Sequence, residues 1–324
     1  MQQADFTILT NTKLAHLASS EAVVGFRSDG LFARVNCFLN TIRLAEKLDK
    51  PARFLWKGVE PMGGGTAHGY DSDWRSILLD DRIVGVSSTI ESGSVDANMR
   101  TWTPAVLPGE DVATVRAELG QIARSLTMVD GRTVGEAAST NLYTWCLHAR
   151  QDDAAQLKWM LTKYFPASGW LQVLETLMAQ DPNGNGFLAS DSHTLKEMAR
   201  ARYGHSLRTP EEVIPEGLGK LQADFAEAIH LSKGRRLIAP RASAFSLFAS
   251  LVGGVTVESP EHVLGITDIV EDIVWVALAS YERDLGRAIE HIDHPGEPQL
   301  AGLRRSLDEV RTLMQGKKRS IRNK

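Results

Sequence analysis

The chain has little cysteine, no long apolar run and little charge imbalance, and each shortage excludes a class of protein. Two cysteines in 324 residues, Cys37 and Cys146, cannot staple a disulfide scaffold and fit a reducing compartment. No apolar stretch reaches the roughly 18–20 residues that span a bilayer. The opening residues, MQQADFTILTNTK, lack the basic-then-apolar order of a secretory leader. A soluble, cytoplasmic protein is therefore expected. A net charge of −4 leaves no general basic face for nucleic acid. Only the tail departs from this: Lys317, Lys318, Arg319, Arg322 and Lys324 form either a solvated end or a weak contact for an anionic surface.

Familiar catalytic signatures are missing too. The nine histidines form neither H-E-x-x-H nor a tight cluster with cysteine, so no metal site is expected. There is no G-x-S-x-G elbow and no Walker A lysine loop. Asp181-Pro182-Asn183-Gly184-Asn185-Gly186 imitates half of a calcium loop, but the twelfth position is Ser192 where a bidentate glutamate is needed. A turn before a strand is the better reading.

What remains is an ordinary folded composition, 43% hydrophobic and 23% charged, in a chain longer than one compact domain usually needs. Strand-like runs alternate with helical periodicity, the pattern of α/β construction on parallel sheets. Val23–Phe26 reads as a strand, Gly30 as a turn, and Val35, Phe38, Leu39, Ile42, Ala45 and Leu48 as one helical face. Arg53–Trp56 follows as the next strand. The result is a β-Gly-α-β unit, a common place for phosphate at a helix N-terminus. Glu110-Asp111 opens a helix over 110–126. Further on, strands at Tyr143–Leu147, Gly186–Ala189 and Arg236–Ala239 alternate with helices near 169–179, 192–202, 218–229 and 243–253. Two closing helices are read over 265–291 and 297–314, and Gly63–Gly65 as a loop. The division expected is 1–140, then a Rossmann-like unit at 141–285, then a closing helix and tail at 286–324.

Four segments carry polar residues where strands give way to turns: Gly30-Leu31-Phe32-Ala33-Arg34, His148-Ala149-Arg150-Gln151-Asp152-Asp153, Ser190-Asp191-Ser192, and Leu231-Ser232 through Ser243-Ala244-Phe245-Ser246. Each has a plainer reading. His148 and Arg150 fit a helix surface, Asp191-Ser192 and Ser243–Ser246 fit helix caps, and Arg34 fits a solvated helix arginine.

Taken in order, with Leu55-Trp56 closing the first block, these segments resemble GDP-fucose-dependent fucosyltransferases of the nodulation-factor and core α1,6 type, and the related protein O-fucosyltransferases. The likeness spans roughly 25–56 and 142–255. It implies two Rossmann-like domains of GT-B type facing across a cleft. It also implies inverting, metal-independent transfer of fucose from GDP-fucose to a glycan or other hydroxyl acceptor, with no separate cofactor.

The residue chemistry agrees with those roles. Arg150 can pair bidentately with the β-phosphate of departing GDP. Ser243, Phe245 and Ser246 open a helix whose donors suit a phosphate. Asp191 and Ser192 follow a strand where a carboxylate can accept the guanine N1–H and N2–H pair, and His148 would line the base or ribose pocket. Gly30 lets backbone approach the pyrophosphate beside Arg34. The resemblance to the core-type enzymes implies a catalytic base a few residues beyond this motif; Ala154 to Lys163 holds no carboxylate, which makes Asp152 and Asp153, the latter at the motif position, the nearest substitutes. A non-catalytic GDP-sugar or glycan-binding protein, or a transferase using another sugar nucleotide, stays open.

Overall fold

The computed structural model describes residues 6–27, 30–56, 74–85, 97–150, 167–240 and 243–265. Gln151 to Asp153, the Gly63–Gly65 loop, the residues beyond 265 and the basic tail lie outside these. Among the described residues every paired strand is parallel, in three sheets.

The N-terminal half builds two of them. Strand β1 (Thr7–Ile8) leads into helix α1 (Asn11–Ser19), then β2 (Val23–Arg27), α2 (Leu31–Lys47), β3 (Ala52–Trp56) and β4 (Ile83–Gly85). Strand β5 (Ala105–Val106) returns to pair with β1, while β2, β3 and β4 lie side by side. Helices α3 (Val112–Ser125) and α4 (Val134–Ala138) follow. Asp111 caps α3 by accepting the Thr114 N–H at 2.9 Å, in keeping with the acidic opening expected there.

Helix α2 shows more than its apolar face implied, because every residue from Leu31 to Ala45 is buried. Against β2 the contact is so close that a Cβ on Gly25 would run into the Thr41 hydroxyl and the Phe54 ring. A polar stripe at Asn36, Asn40, Arg43 and Lys47 keeps the i, i+4, i+7, i+11 spacing of one helix face. The Asn40 amide donates to the carbonyls of Thr101 and Thr103 and accepts from the Ala105 N–H. Arg43, almost fully buried, donates to Glu118 at 2.6 Å, to the Ala105 carbonyl at 2.9 Å and to Glu110. Burial alone would raise the Glu110 pKa, but the Arg43 bond and the Leu107 N–H outweigh it and hold the carboxyl low.

The C-terminal half is one five-stranded sheet. It contains β6 (Trp145–Ala149), α5 (Ala167–Gln180), β7 (Gly186–Ser190), α6 (His193–Tyr203), β8 (Leu207–Arg208), α7 (Pro210–Val213), α8 (Lys220–Leu231), β9 (Leu237–Ile238), α9 (Ala244–Gly253), β10 (Val257–Glu258) and α10 (Pro260–Val263). Read from one edge the order is β8-β7-β6-β9-β10. Numbered in chain order that is 3-2-1-4-5, the order of doubly wound nucleotide-binding sheets, with the switch between β6 and β9.

Strand alternation sorts the β6 side chains into two layers. Trp145, Leu147 and Ala149 meet Trp170, Val173, Leu174 and Leu177 of α5. Cys146 faces the other way, with Phe187, Leu231 and Ala249. On that second side α8 and α9 are packed between the sheet and α2/α3, so Phe225, Ile229, Phe248 and Leu251 share one apolar cluster with Phe32, Val35 and Leu119. Each such side chain contributes ~1.5–3 kcal/mol on full burial. Helices α3 and α9 touch at Gly120, where a Cβ would sit 2.8 Å from the Leu251 carbonyl. Arg116 reaches Ser250 at 2.7 Å and Arg124 the Leu251 carbonyl at 3.1 Å.

At the N-terminal end of the five-stranded sheet, the Tyr143 hydroxyl lies 2.9 Å from His230 Nδ1 beside the Phe187 ring. Burial, with Lys233 nearby, pushes the His230 pKa down to about 4. The neutral imidazole is the folded form, while the unfolded chain takes up the proton near pH 6.5. Stability is therefore complete above about pH 6.5 and falls as pH drops toward 4. Allowing for partial exposure, the loss on this account is about 2 kcal/mol. Urea melts of the unmodified protein and His230→Gln at pH 4.5 and 7 should show the larger acid loss in the unmodified protein; equal losses would assign the proton elsewhere.

Candidate functional site

The register of the five-stranded sheet decides which segments meet. Ala149 pairs with Ser190, and Leu147 with Ile238. Those pairings bring the ends of β6, β7 and β9 to one edge, so His148 and Arg150, Asp191 and Ser192, and the start of α9 share it. The crevice beyond the strand ends at such a switch point is where open α/β sheets take their ligands.

His148 is buried on the layer facing α9. Its Nδ1 lies 2.7 Å from Ser246 Oγ, and its ring centroid 4.9 Å from that of Phe245. Residues 145–149 form a strand and not a helix, so the helix-surface reading of His148 fails. Arg150 follows directly and is half-buried. Asp153 lies outside the described residues.

The two serine-containing turns are caps, as their plainer reading had it. Ser243 accepts the Ser246 N–H at 3.4 Å, and Ser192 accepts the Leu195 N–H at 3.4 Å. The Ser190 hydroxyl in turn accepts the Ser192 N–H at 3.1 Å. Ser246 is different, because its hydroxyl is committed to His148. Asp191 stands exposed directly after β7.

The first block arrives from the other half of the chain. Gly30 is the N-cap of α2 and offers no side-chain cap; a Cβ there would meet none of the described residues within 4 Å. Its backbone is one any residue could adopt. Arg34 is fully buried, with its guanidinium carbon 5.1 Å from the Trp56 ring centroid, which overturns the solvated-arginine reading. Phe32, in the first turn of α2, packs edge-on against Phe245 at 4.8 Å. The Asn36 amide donates to the Ala244 carbonyl at 2.8 Å. The starts of α2 and α9 thus touch beside the end of β6, and each helix start carries roughly half a positive charge. Backbone N–H groups at such helix starts suit a negatively charged group.

Reading the sequence missed Phe32 as a link and Asn36 altogether. The only signal for Asn36 was its place on the polar stripe of α2, which resembles a solvated face. Among the described residues no group of three or more His, Cys, Asp or Glu is arranged to hold a metal ion, and no helix is long and apolar enough to cross a membrane.

Neither a protein-family model nor a curated protein matches the chain. In structure it is similar to fucosyltransferase NodZ from Bradyrhizobium, with a TM-score of 0.41 and 10% identity over 72% of this chain and 94% of that one. It is likewise similar to NodZ alpha-1,6-fucosyltransferase soaked with GDP-fucose, with a TM-score of 0.42 and 11% identity over 72% of this chain and 93% of that one. The third likeness is to POFUT1 in complex with GDP, with a TM-score of 0.41 and 12% identity over 74% of this chain and 98% of that one.

Proposed function

We propose that this protein is an inverting glycosyltransferase of GT-B type that moves fucose from GDP-fucose to a glycan or other hydroxyl acceptor without a metal. The observation that carries the reading is the meeting of the α2 and α9 starts at the end of β6, beside the His148–Ser246 pair. That geometry supports a nucleoside diphosphate; guanine and fucose rest on the ordered sequence blocks.

In this reading the acceptor oxygen attacks the anomeric carbon while the bond from that carbon to the β-phosphate oxygen breaks. Negative charge gathers on GDP, where Arg150 and the helix-start donors stabilise it as it grows. Arg34 adds positive potential from the α2 side. The hydroxyl proton passes to a carboxylate, for which Asp153 is the assigned candidate. His148, held by Ser246 and Phe245, forms a wall of the base or ribose pocket. The N-terminal half carries the acceptor side.

Arg150→Ala is expected to weaken GDP binding by about 1.5–3 kcal/mol, the size of a charge-assisted hydrogen bond. Isothermal titration on a folded variant checks this, and unchanged affinity would break the link between the motif and the phosphate. GDP binding and fucosyl transfer should both survive excess chelator, because arginines and backbone N–H groups take the place of a cation. Loss on chelation with rescue by manganese would refute the mechanism. GDP should bind more tightly than ADP, by about tenfold given the exposure of Asp191, and Asp191→Ala should narrow that gap. Equal affinities in the unmodified protein would leave Asp191 no part in base choice.

A further inference from the structure

The polar stripe of α2 is satisfied along its length except at one place. Asn40 uses both amide donors and its oxygen, and Arg43 uses Nε, Nη1 and Nη2. Asn36, one turn nearer the start of α2, is as buried as they are, yet its Oδ1 has no hydrogen-bond partner among the described residues. Its Nδ2 makes a single bond, to the Ala244 carbonyl across 208 positions of sequence. A buried acceptor left unpaired costs about as much as one net hydrogen bond contributes, or more. Asn36 therefore adds little or nothing to stability, whereas Asn40 adds to it.

A polar group kept in a core without net stabilisation calls for another account, and its position supplies one. Helical side chains lean toward the helix start, so Asn36 leans toward the turn at Gly30–Arg34. Its partner, Ala244, is the first residue of α9, directly after the Ser243 cap. The bond ties the second turn of α2 to the first residue of α9, beside the place where the two helix starts touch.

The geometry points to Asn36 as a positioning residue of the nucleotide site: it holds the first turn of α9 against α2, so that both helix starts address one diphosphate. This assignment rests on the nucleotide reading of the preceding section. Donors fixed before the ligand arrives need no reordering on binding, and affinity gains by that amount.

Asn36→Leu removes the bond and the unpaired oxygen together. Its melting temperature should stay within about 2 °C of the unmodified protein or rise, because an apolar replacement of similar shape leaves nothing unpaired except one carbonyl already bonded within its helix. Its dissociation constant for GDP, measured by titration calorimetry, should increase about 5- to 20-fold. Asn40→Leu should do the reverse, melting several degrees lower with GDP affinity within about twofold. If Asn36→Leu does not fold, Asn36→Ala takes its place in the same pair of measurements. Unchanged GDP affinity at position 36 would overturn the assignment. So would a melting loss that matches that of Asn40→Leu, since Asn36 would then be a structural bond only. Absence of GDP binding in the unmodified protein would instead overturn the nucleotide reading itself, and this assignment with it.

Discussion

The described residues are arranged around a helix buried on every face from Leu31 to Ala45. Helix α2 meets β2 and β3 on one side, α3 and the 98–106 segment on another, and α8 and α9 on a third. A helix enclosed in that way must satisfy any polar side chain it carries inside the protein. The Asn40 and Arg43 bonds do this, and in doing so they fix the two-stranded β1–β5 sheet and the start of α3 in place. Buried Arg43 is tolerable only because two carboxylates and a carbonyl surround its guanidinium.

The same enclosure shapes the candidate site. Because α9 must cover α2 on one side and the five-stranded sheet on the other, its first turn falls where β6 ends. The rings of Phe32, Phe245 and His148 form a short apolar bridge at that point, and the polar contacts lie beside it. Packing sets the position of the junction, and the helix ends give it its charge.

Much of this was legible in the sequence, for reasons that can be named. Strands β2, β3, β6, β7 and β9 were bounded by glycine, proline or polar turns, and α2, α3 and α9 had periodic apolar faces or acidic and serine caps. The strands β1, β5, β8 and β10 are two residues each, too short for any alternation to register; β9 is as short, and was legible from its apolar run before a serine turn. The polar stripe of α2 drew no reading, because asparagine and arginine at i, i+4, i+7 have the same pattern whether water or protein faces them. His148 and Arg150 were ambiguous between strand and helix until β6 paired on both sides. Asp191 was recognised by its place after a strand, but exposure is a property of neighbours and not of local sequence. That α8 and α9 serve two cores at once lies in contacts between segments some 200 residues apart, which no window of sequence holds.

That double service bears on how the chain is made. During synthesis the first 140 residues emerge well before α8 and α9 exist, so Phe32, Val35 and Leu119 have no partners on one side until nearly 250 residues have been added. The N-terminal half is then a layer with an uncovered apolar face, and its final packing waits on contacts of very long sequence separation. Its two halves, each with its own sheet, are therefore completed together, and the last helix to leave the ribosome among those that cover α2 is the one that closes both.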